Sequence, residues 1–219
     1  MERFRQARRD PDLAVLEGFH ALKHALRFGA EVLEVAGDPE HLEALAQELA
    51  PDLQGRFRKL ATTRRPGDVL AIARRPRPNL ADALTTPGPV IYLEAPRNLG
   101  NLGACIRVAA AAGAVAVLTS GHNDPWHPDA IRGAAGLHFA LPVVRVHELP
   151  ETGRPLIAVD PGGEVSRFDR HALLAFGSER HGLSPELLAR ADRRVRIPMR
   201  EGVSSLNLAT AVAATLYSG

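Results

Sequence analysis

The sequence predicts an α/β protein in two parts, a small mixed unit followed by a larger domain with a parallel sheet, and three observations predict it. From residue 90 onward, short β-branched and aliphatic runs alternate with helical patterns, which implies a parallel sheet covered on both faces. Residues 1–75 instead follow a helix–strand–helix–strand order. Between the two, residues 76–89 carry Pro76, Pro78, Pro87, Gly88 and Pro89, the stiff composition of a linker.

The elements follow in order. Leu13, Leu16, Ala21, Leu22, Leu26 and Phe28 lie near helical spacing, so a helix is expected over 13–28, ended by Gly29. A strand at 31–37 comes next, then a helix over 38–50 with Asp38 as cap and Pro39 in its first turn. Residues 57–63 and 68–75 read as strands. In the larger domain, strands are expected at 90–95, 115–120, 141–146, 156–160, 173–176 and 195–199. Helices are expected at 103–112, at 129–136, briefly from Asp169 after a turn at 161–163, and at 185–191. A closing helix presents Leu206, Ala209, Val212, Ala213 and Leu216 on one face, with Ser204 or Ser205 as its cap.

Composition narrows the function. No apolar run approaches the roughly 18 residues of a membrane span, and acidic residues and Pro11 interrupt the basic N-terminus where a signal peptide would need an apolar stretch. A cytoplasmic protein is the expectation. One cysteine, Cys105, excludes an intrachain disulfide framework and a cysteine-cluster zinc site, and it reads as a small packing residue. The net charge is only +2, yet Arg56, Arg58, Lys59, Arg64, Arg65, Arg74, Arg75 and Arg77 face the single acid Asp68 between Gln54 and Pro78. Such a stripe is the footprint of phosphate binding, or else a solvated face; Arg56, Arg58, Lys59, Arg64 and Arg65 are the candidate RNA contacts.

Three strands of the larger domain run straight into loops of glycine and polar residues, the place where open α/β sheets bind ligands. The first loop, 96–103, spaces its glycines GxxG, a poor match to a dinucleotide fingerprint. The second, 177–184, offers one carboxylate, Glu179, beside His181. The third, 197–207, brings a strand end, Gly202 and a helix N-terminus together, where free backbone N–H groups can receive an anion. His122, His127 and Asp124 read as an ordinary polar loop without a metal, and Trp126 as a residue that packs at an interface or stacks on a base.

Asn101-Leu-Gly-Ala-Cys-Ile-Arg107, Gly177-Ser-Glu179-Arg-His-Gly182-Leu-Ser184 and Ile197-Pro-Met199…Ser205-Leu-Asn207 resemble, in order, the three motifs of the SpoU/TrmH family. That family comprises RNA ribose 2′-O-methyltransferases of the knotted SPOUT class. The resemblance implies a knotted C-terminal methyltransferase domain over 90–219 and an N-terminal RNA-binding domain with a ribosomal-protein-like fold. It implies S-adenosylmethionine as cofactor, an rRNA or tRNA substrate and a homodimer. By match, Gly177, Ile197, Met199 and Leu206 hold the cofactor, while Arg107, Asn101, Glu179, Ser205 and Asn207 serve catalysis; the family pattern does not require His181. The rival reading is a non-catalytic RNA-binding or assembly protein that keeps the fold.

Overall fold

The structure, a computed structural model, describes residues 2–166 and 171–218. Its N-terminal part contains α1 (Glu2–Ala7), β1 (Leu13–Glu17), α2 (Phe19–Arg27), β2 (Val32–Gly37), α3 (Pro39–Glu48), α4 (Pro51–Phe57), β3 (Thr62–Arg64) and β4 (Leu70–Arg74). The helix expected over 13–28 is therefore a strand and a helix. Gly18, at φ +87°, breaks the run, and Leu13–Glu17 pairs antiparallel with β4 over its whole length. Leu16 and Val15 enter opposite cores, as a strand's two-residue period requires. The strand expected from Phe57 begins only at Thr62, because Phe57 ends α4, a helix that Gly55 disguises in the sequence. Asp38 caps α3 as expected, accepting from the N–H groups of Glu40 and His41. The four strands order as β1-β4-β2-β3, with α2, α3 and α4 over one face and α1 on the other.

The second part contains α5 (Leu80–Thr85), β5 (Val90–Leu93), α6 (Leu99–Ala111), β6 (Ala116–Thr119), α7 (Pro128–Gly133), a 3₁₀ turn (Leu137–Phe139), β7 (Val143–Arg145), β8 (Leu156–Glu164), β9 (Leu173–Phe176), α8 (Pro185–Arg190), β10 (Arg193–Val195) and α9 (Leu208–Tyr217). The proline-rich segment is not uniformly extended: Asn79 caps α5 inside it. Buried Arg154 then fixes that segment by donating to the carbonyls of Leu84, Thr86 and Gly88. The helix expected from Asp169 lies outside the described residues.

Six strands form one sheet in the order β10-β8-β9-β5-β6-β7, and every pairing is parallel. Strands β5, β6 and β9 are buried along their full length. Ile91 and Leu93 point to the face covered by α6, α7 and α9, while Val90 and Tyr92 point to the face covered by α5 and α8. Two ends differ from expectation. Strand β10 stops at Val195, after a bulge in its pairing with β8, and Pro198 cannot supply a ladder N–H. Strand β8 runs on to Glu164, through the expected turn at 161–163.

The two parts share a core cluster in which Leu16, Leu22 and Leu26 join Leu102, Ile106 and Ile131. At their joint His24 Nδ1–H donates to the Ala135 carbonyl (2.6 Å), Arg132 pairs with Glu17 (3.2 Å), and Arg75 bridges the Leu13 carbonyl (2.6 Å) and Asp124 (2.8 Å). Trp126 is buried beside this joint, its Nε1–H donating to the Val143 carbonyl (3.2 Å). It is a core residue of the chain and not a free stacking platform. Among the described residues, no helix is long and apolar enough to cross a membrane.

Candidate active site at the strand ends

Strands β5 and β9 lie side by side at the centre of the sheet, and the chain leaves them toward opposite edges. A crevice at the carboxyl ends of such a pair is where open parallel sheets take ligands. Asn98, three residues after Ala95, whose φ is +47°, starts α6 by accepting the Asn101 N–H (2.9 Å). The helix thus begins four residues earlier than its sequence pattern suggests, and Asn101 sits in its first turn. The loop glycines serve packing. A Cβ on Gly103 would stand 2.1 Å from the Ala130 carbonyl oxygen, so Gly103 lets α7 cross α6 closely.

The second loop returns on the first through Glu179. Its carboxylate accepts the N–H groups of Arg97 (2.9 Å) and Asn98 (3.3 Å) and the Asn101 side-chain amide (2.9 Å). The third loop joins through Asn207, whose Nδ2 donates to Asn101 Oδ1 (3.1 Å). Asn207 Oδ1 accepts from Ala209 and Thr210, so this asparagine, and neither Ser204 nor Ser205, caps α9. One chain of polar contacts, Glu179–Asn101–Asn207, therefore ties all three loops together.

Burial alone would raise the Glu179 carboxyl, but the hydrogen bonds from Asn101, Arg97 and Asn98 outweigh it and hold the group below its ordinary value. A carboxyl lowered on folding contributes its contacts above its unfolded pKa and loses them as pH falls through the lowered one. In an NMR titration, the amide signals of Arg97 and Asn98 should shift together with a midpoint below the usual carboxylate range. A midpoint at or above that range would contradict the contact.

Beside this chain opens a cleft of about 460 Å³ lined by Gly177–Gly182, Ile197, Met199, Ser204, Ser205 and Leu206. Leu206 is 40% exposed there, an uncovered apolar surface. The N–H groups of Ile197, Met199 and Leu206 have no hydrogen-bond partner among the described residues. Free backbone groups beside apolar side chains suit a flat heteroaromatic ring with polar edges.

The structure does not bring every candidate together. Arg107 lies outside the cleft, about 9 Å along α6 from Asn101 by helical rise, on a stripe with exposed Gly100 and Ala111 and half-buried Ala104. It has no ion-pair or hydrogen-bond partner among the described residues. Ser205 lines the cleft without joining the polar chain. His181 is exposed and its ring has no hydrogen bond among the described residues. Burial pushes the Cys105 thiol up, so it stays protonated and inert.

Four supporting residues escaped sequence reasoning. Glu94, at the end of β5, accepts both the N–H (2.7 Å) and the hydroxyl (2.6 Å) of Ser184, fixing the far end of the second loop. Ser120 accepts the Ala95 N–H (3.2 Å), and Asn123 donates to the carbonyls of Pro96 and Arg97 (2.8 and 3.0 Å). The fourth is Asn98. Only Glu94 left a signal, a lone acid closing an apolar strand.

In the N-terminal part, Arg56 donates to the carbonyls of Leu26 and Ala30, closing the end of α2. Arg58 pairs with Glu43 (3.1 Å) and Arg65 donates to the Asp68 carbonyl (2.5 Å). Lys59 and Arg64 are exposed and carry no such partner among the described residues. No cluster of histidine, cysteine or acid residues able to hold a metal occurs among the described residues.

Comparison with known proteins follows the same outline. The family model described as SpoU rRNA Methylase family matches residues 88–217. Over 221 residues the chain is 30% identical to the 23S rRNA (guanosine(2553)-2′-O)-methyltransferase RlmP of Bacillus subtilis, covering 93% of this chain and 86% of that protein. A 23S rRNA (uridine(2479)-2′-O)-methyltransferase of Streptomyces viridochromogenes is 35% identical over 144 residues, which span 58% of this chain and 50% of that protein. The structure of the SpoU methyltransferase AviRb from Streptomyces viridochromogenes in complex with AdoMet aligns with a TM-score of 0.77 at 26% identity, covering 99% of this chain and 96% of that one.

Proposed function

The chain belongs to the SpoU rRNA methylase family, and from that premise we propose that it methylates a ribose 2′-hydroxyl in RNA with S-adenosylmethionine as donor. Ribosomal RNA is the favoured substrate, since relatives along the chain are named 23S rRNA methyltransferases; transfer RNA is the other candidate. The observation that carries the reading is the Glu179–Asn101–Asn207 contact, which closes three strand-end loops around one cleft.

When bound, S-adenosylmethionine supplies an electrophilic methyl group on a sulfonium. Gly177, Ile197, Met199 and Leu206 would hold it, the unpaired N–H groups of the last three meeting polar edges and their side chains covering the ring. A ribose hydroxyl is a poor nucleophile while protonated, and an arginine, with a pKa above about 12, is no base. The role of Arg107 is electrostatic: its guanidinium stabilises the alkoxide charge that develops on the hydroxyl as the proton passes to an RNA phosphate oxygen or to water. Asn101 and Asn207 position the ribose and Glu179 holds their loops, with Ser205 on the cleft wall.

A homodimer belongs to this reading. Arg107 stands on a small-residue face of α6, beside α9 with its exposed Tyr217, and a site completed where two copies meet would give that arginine its substrate. So does the knot, supported by the way the chain lays β9 inside β8 and returns outside it to β10. Residues 1–75 act as the RNA-binding domain, 76–89 as linker and 90–219 as the catalytic domain of a cytoplasmic enzyme.

Primer-extension mapping of 2′-O-methyl sites in a strain lacking the protein tests the activity, and calorimetry with S-adenosylmethionine tests the site. RNA binding without cofactor binding would favour the non-catalytic alternative. For the basic stretch, Lys59→Gln with Arg64→Gln should reduce the salt slope of RNA affinity by about one to two, one for each phosphate no longer neutralised. Arg56→Gln should instead lower the melting temperature, since it strips the carbonyls at the end of α2 of their partner. An unchanged slope in the double variant would make these side chains a solvated face.

A further inference from the structure

A second hollow, of about 540 Å³, opens at the carboxyl ends of β6 and β7, lined by Gly121, His122, Arg145, Val146 and His147. It shares a wall with the catalytic loops. Gly121 lies against Ala95, so that a Cβ there would stand 3.0 Å from the Ala95 Cα. Its neighbour Asn123 holds the carbonyls of Pro96 and Arg97, the residues whose segment Glu179 clasps from the other side. Asp124, next along, is gripped by Arg75 of the N-terminal part. Residues 121–124 therefore form one continuous bridge from the N-terminal part to the active-site loops.

Two guanidinium groups, Arg97 and Arg145, point outward along this bridge beside two exposed histidines, His122 and His147. Arg145 is exposed and uses one donor on the His122 carbonyl (3.3 Å), leaving most of its fork open. His147 is almost fully exposed, with Glu148, equally solvated, 3.8 Å from its ring. Arg97 and His122 are exposed, and neither side chain has a hydrogen-bond or ion-pair partner among the described residues. The other acid close by, Asp124, is taken up by Arg75 and by the Trp126 N–H. The floor is small and apolar at Gly121 and Val146. A guanidinium fork fits a phosphate, and imidazole rings offer stacking faces to bases splayed from a single strand.

We infer that the RNA strand flanking the target nucleotide leaves the cleft over Arg97 and enters this hollow, where Arg145 binds a phosphate and His122 and His147 stack against an unpaired base. The inference rests on the methyl-transfer reading above and adds the path by which the substrate reaches it. The hollow is open and has no buried polar group to select a small metabolite, whereas a tethered strand already held at the cleft needs only shallow contacts.

The test uses the full-length protein, a fluorescein-labelled mixed-sequence single-stranded RNA dodecamer, and a 23S rRNA transcript for methyl transfer. Arg145→Gln with His147→Gln should weaken dodecamer binding at low salt by about tenfold and reduce the salt slope by about one. Both side chains are exposed, so the melting temperature and S-adenosylmethionine affinity should match the wild type. Arg145→Lys should keep the slope but not the full affinity, because it keeps charge without the fork. Wild-type affinity and slope in the double variant would overturn the inference. Should the wild type fail to methylate the transcript while the double variant still loses dodecamer affinity, the RNA path stands and the activity reading falls.

Discussion

Replacing Arg107 by alanine should lower single-turnover methylation by about 10² or more, the scale for losing one preorganised donor to a developing negative charge. The structure makes this a clean experiment. The side chain is exposed and makes no ion pair or hydrogen bond among the described residues, so its removal takes nothing from the fold. Alanine is the better helix former, and α6 should be as stable or slightly more so. S-adenosylmethionine affinity should hold, because the cleft that Gly177, Ile197, Met199 and Leu206 line does not include Arg107. Lysine should rescue poorly, since it supplies a point charge in place of a planar fork. The measurement is a single-turnover rate at saturating cofactor and RNA. A near-normal rate in the alanine variant would remove Arg107 from the mechanism.

The second large effect is expected at Gly177. An added Cβ would lie 1.9 Å from the Gly182 carbonyl carbon and 2.1 Å from the Leu183 nitrogen, both backbone atoms that cannot rotate away. Gly177→Ala must therefore open the loop and break the paired hydrogen bonds between Ser178 and Gly182 (3.0 Å each). That loop forms one wall of the cleft and carries Glu179, so cofactor binding should fall below detection by calorimetry. Overpacking of this kind costs about 1–3 kcal/mol, which the buried sheet beneath can absorb, and a cooperative melt should persist at lower temperature. Wild-type affinity in Gly177→Ala would show that the loop plays no part in holding the cofactor. The family match places Gly177 among the cofactor-holding residues, and the chain's own return at Gly182 and Leu183 leaves no room for a side chain there.

What was legible in the sequence divides along physical lines. Strands β5, β6 and β9 announce themselves because a parallel strand buried on both faces must be apolar throughout, as in Val90–Leu93 and Leu173–Phe176. The three loops were legible because glycine and polar residues interrupt those runs abruptly. Element ends were not. Leu13–Glu17 fits helical and strand spacing equally over five residues, and its strand character comes from pairing with β4, more than fifty residues away. The cap Asn207 was masked by Ser204 and Ser205, and the cap Asn98 by Gly100 and Gly103, which made the first turn of α6 read as loop. Arg56 was misleading in another way: a basic residue in a basic run reads as surface charge, yet its fork is spent on the end of α2. Glu179, Asn101 and Asn207 come from three segments far apart in the chain, and only the fold could show that they touch.

The packing of Trp126 has a practical consequence. It is the only tryptophan in the chain, and it stands where the bridge segment, the 3₁₀ turn and β7 meet, its ring 5.0 Å from His138 and 5.3 Å from Phe139. His138 is held neutral by burial, its pKa driven down to about 4, so the imidazole beside the indole stays uncharged at ordinary pH. Indole emission is therefore a native optical reporter of the packed joint between the N-terminal part and the larger sheet domain. No label need be added to follow the unfolding of that joint as the protein is heated.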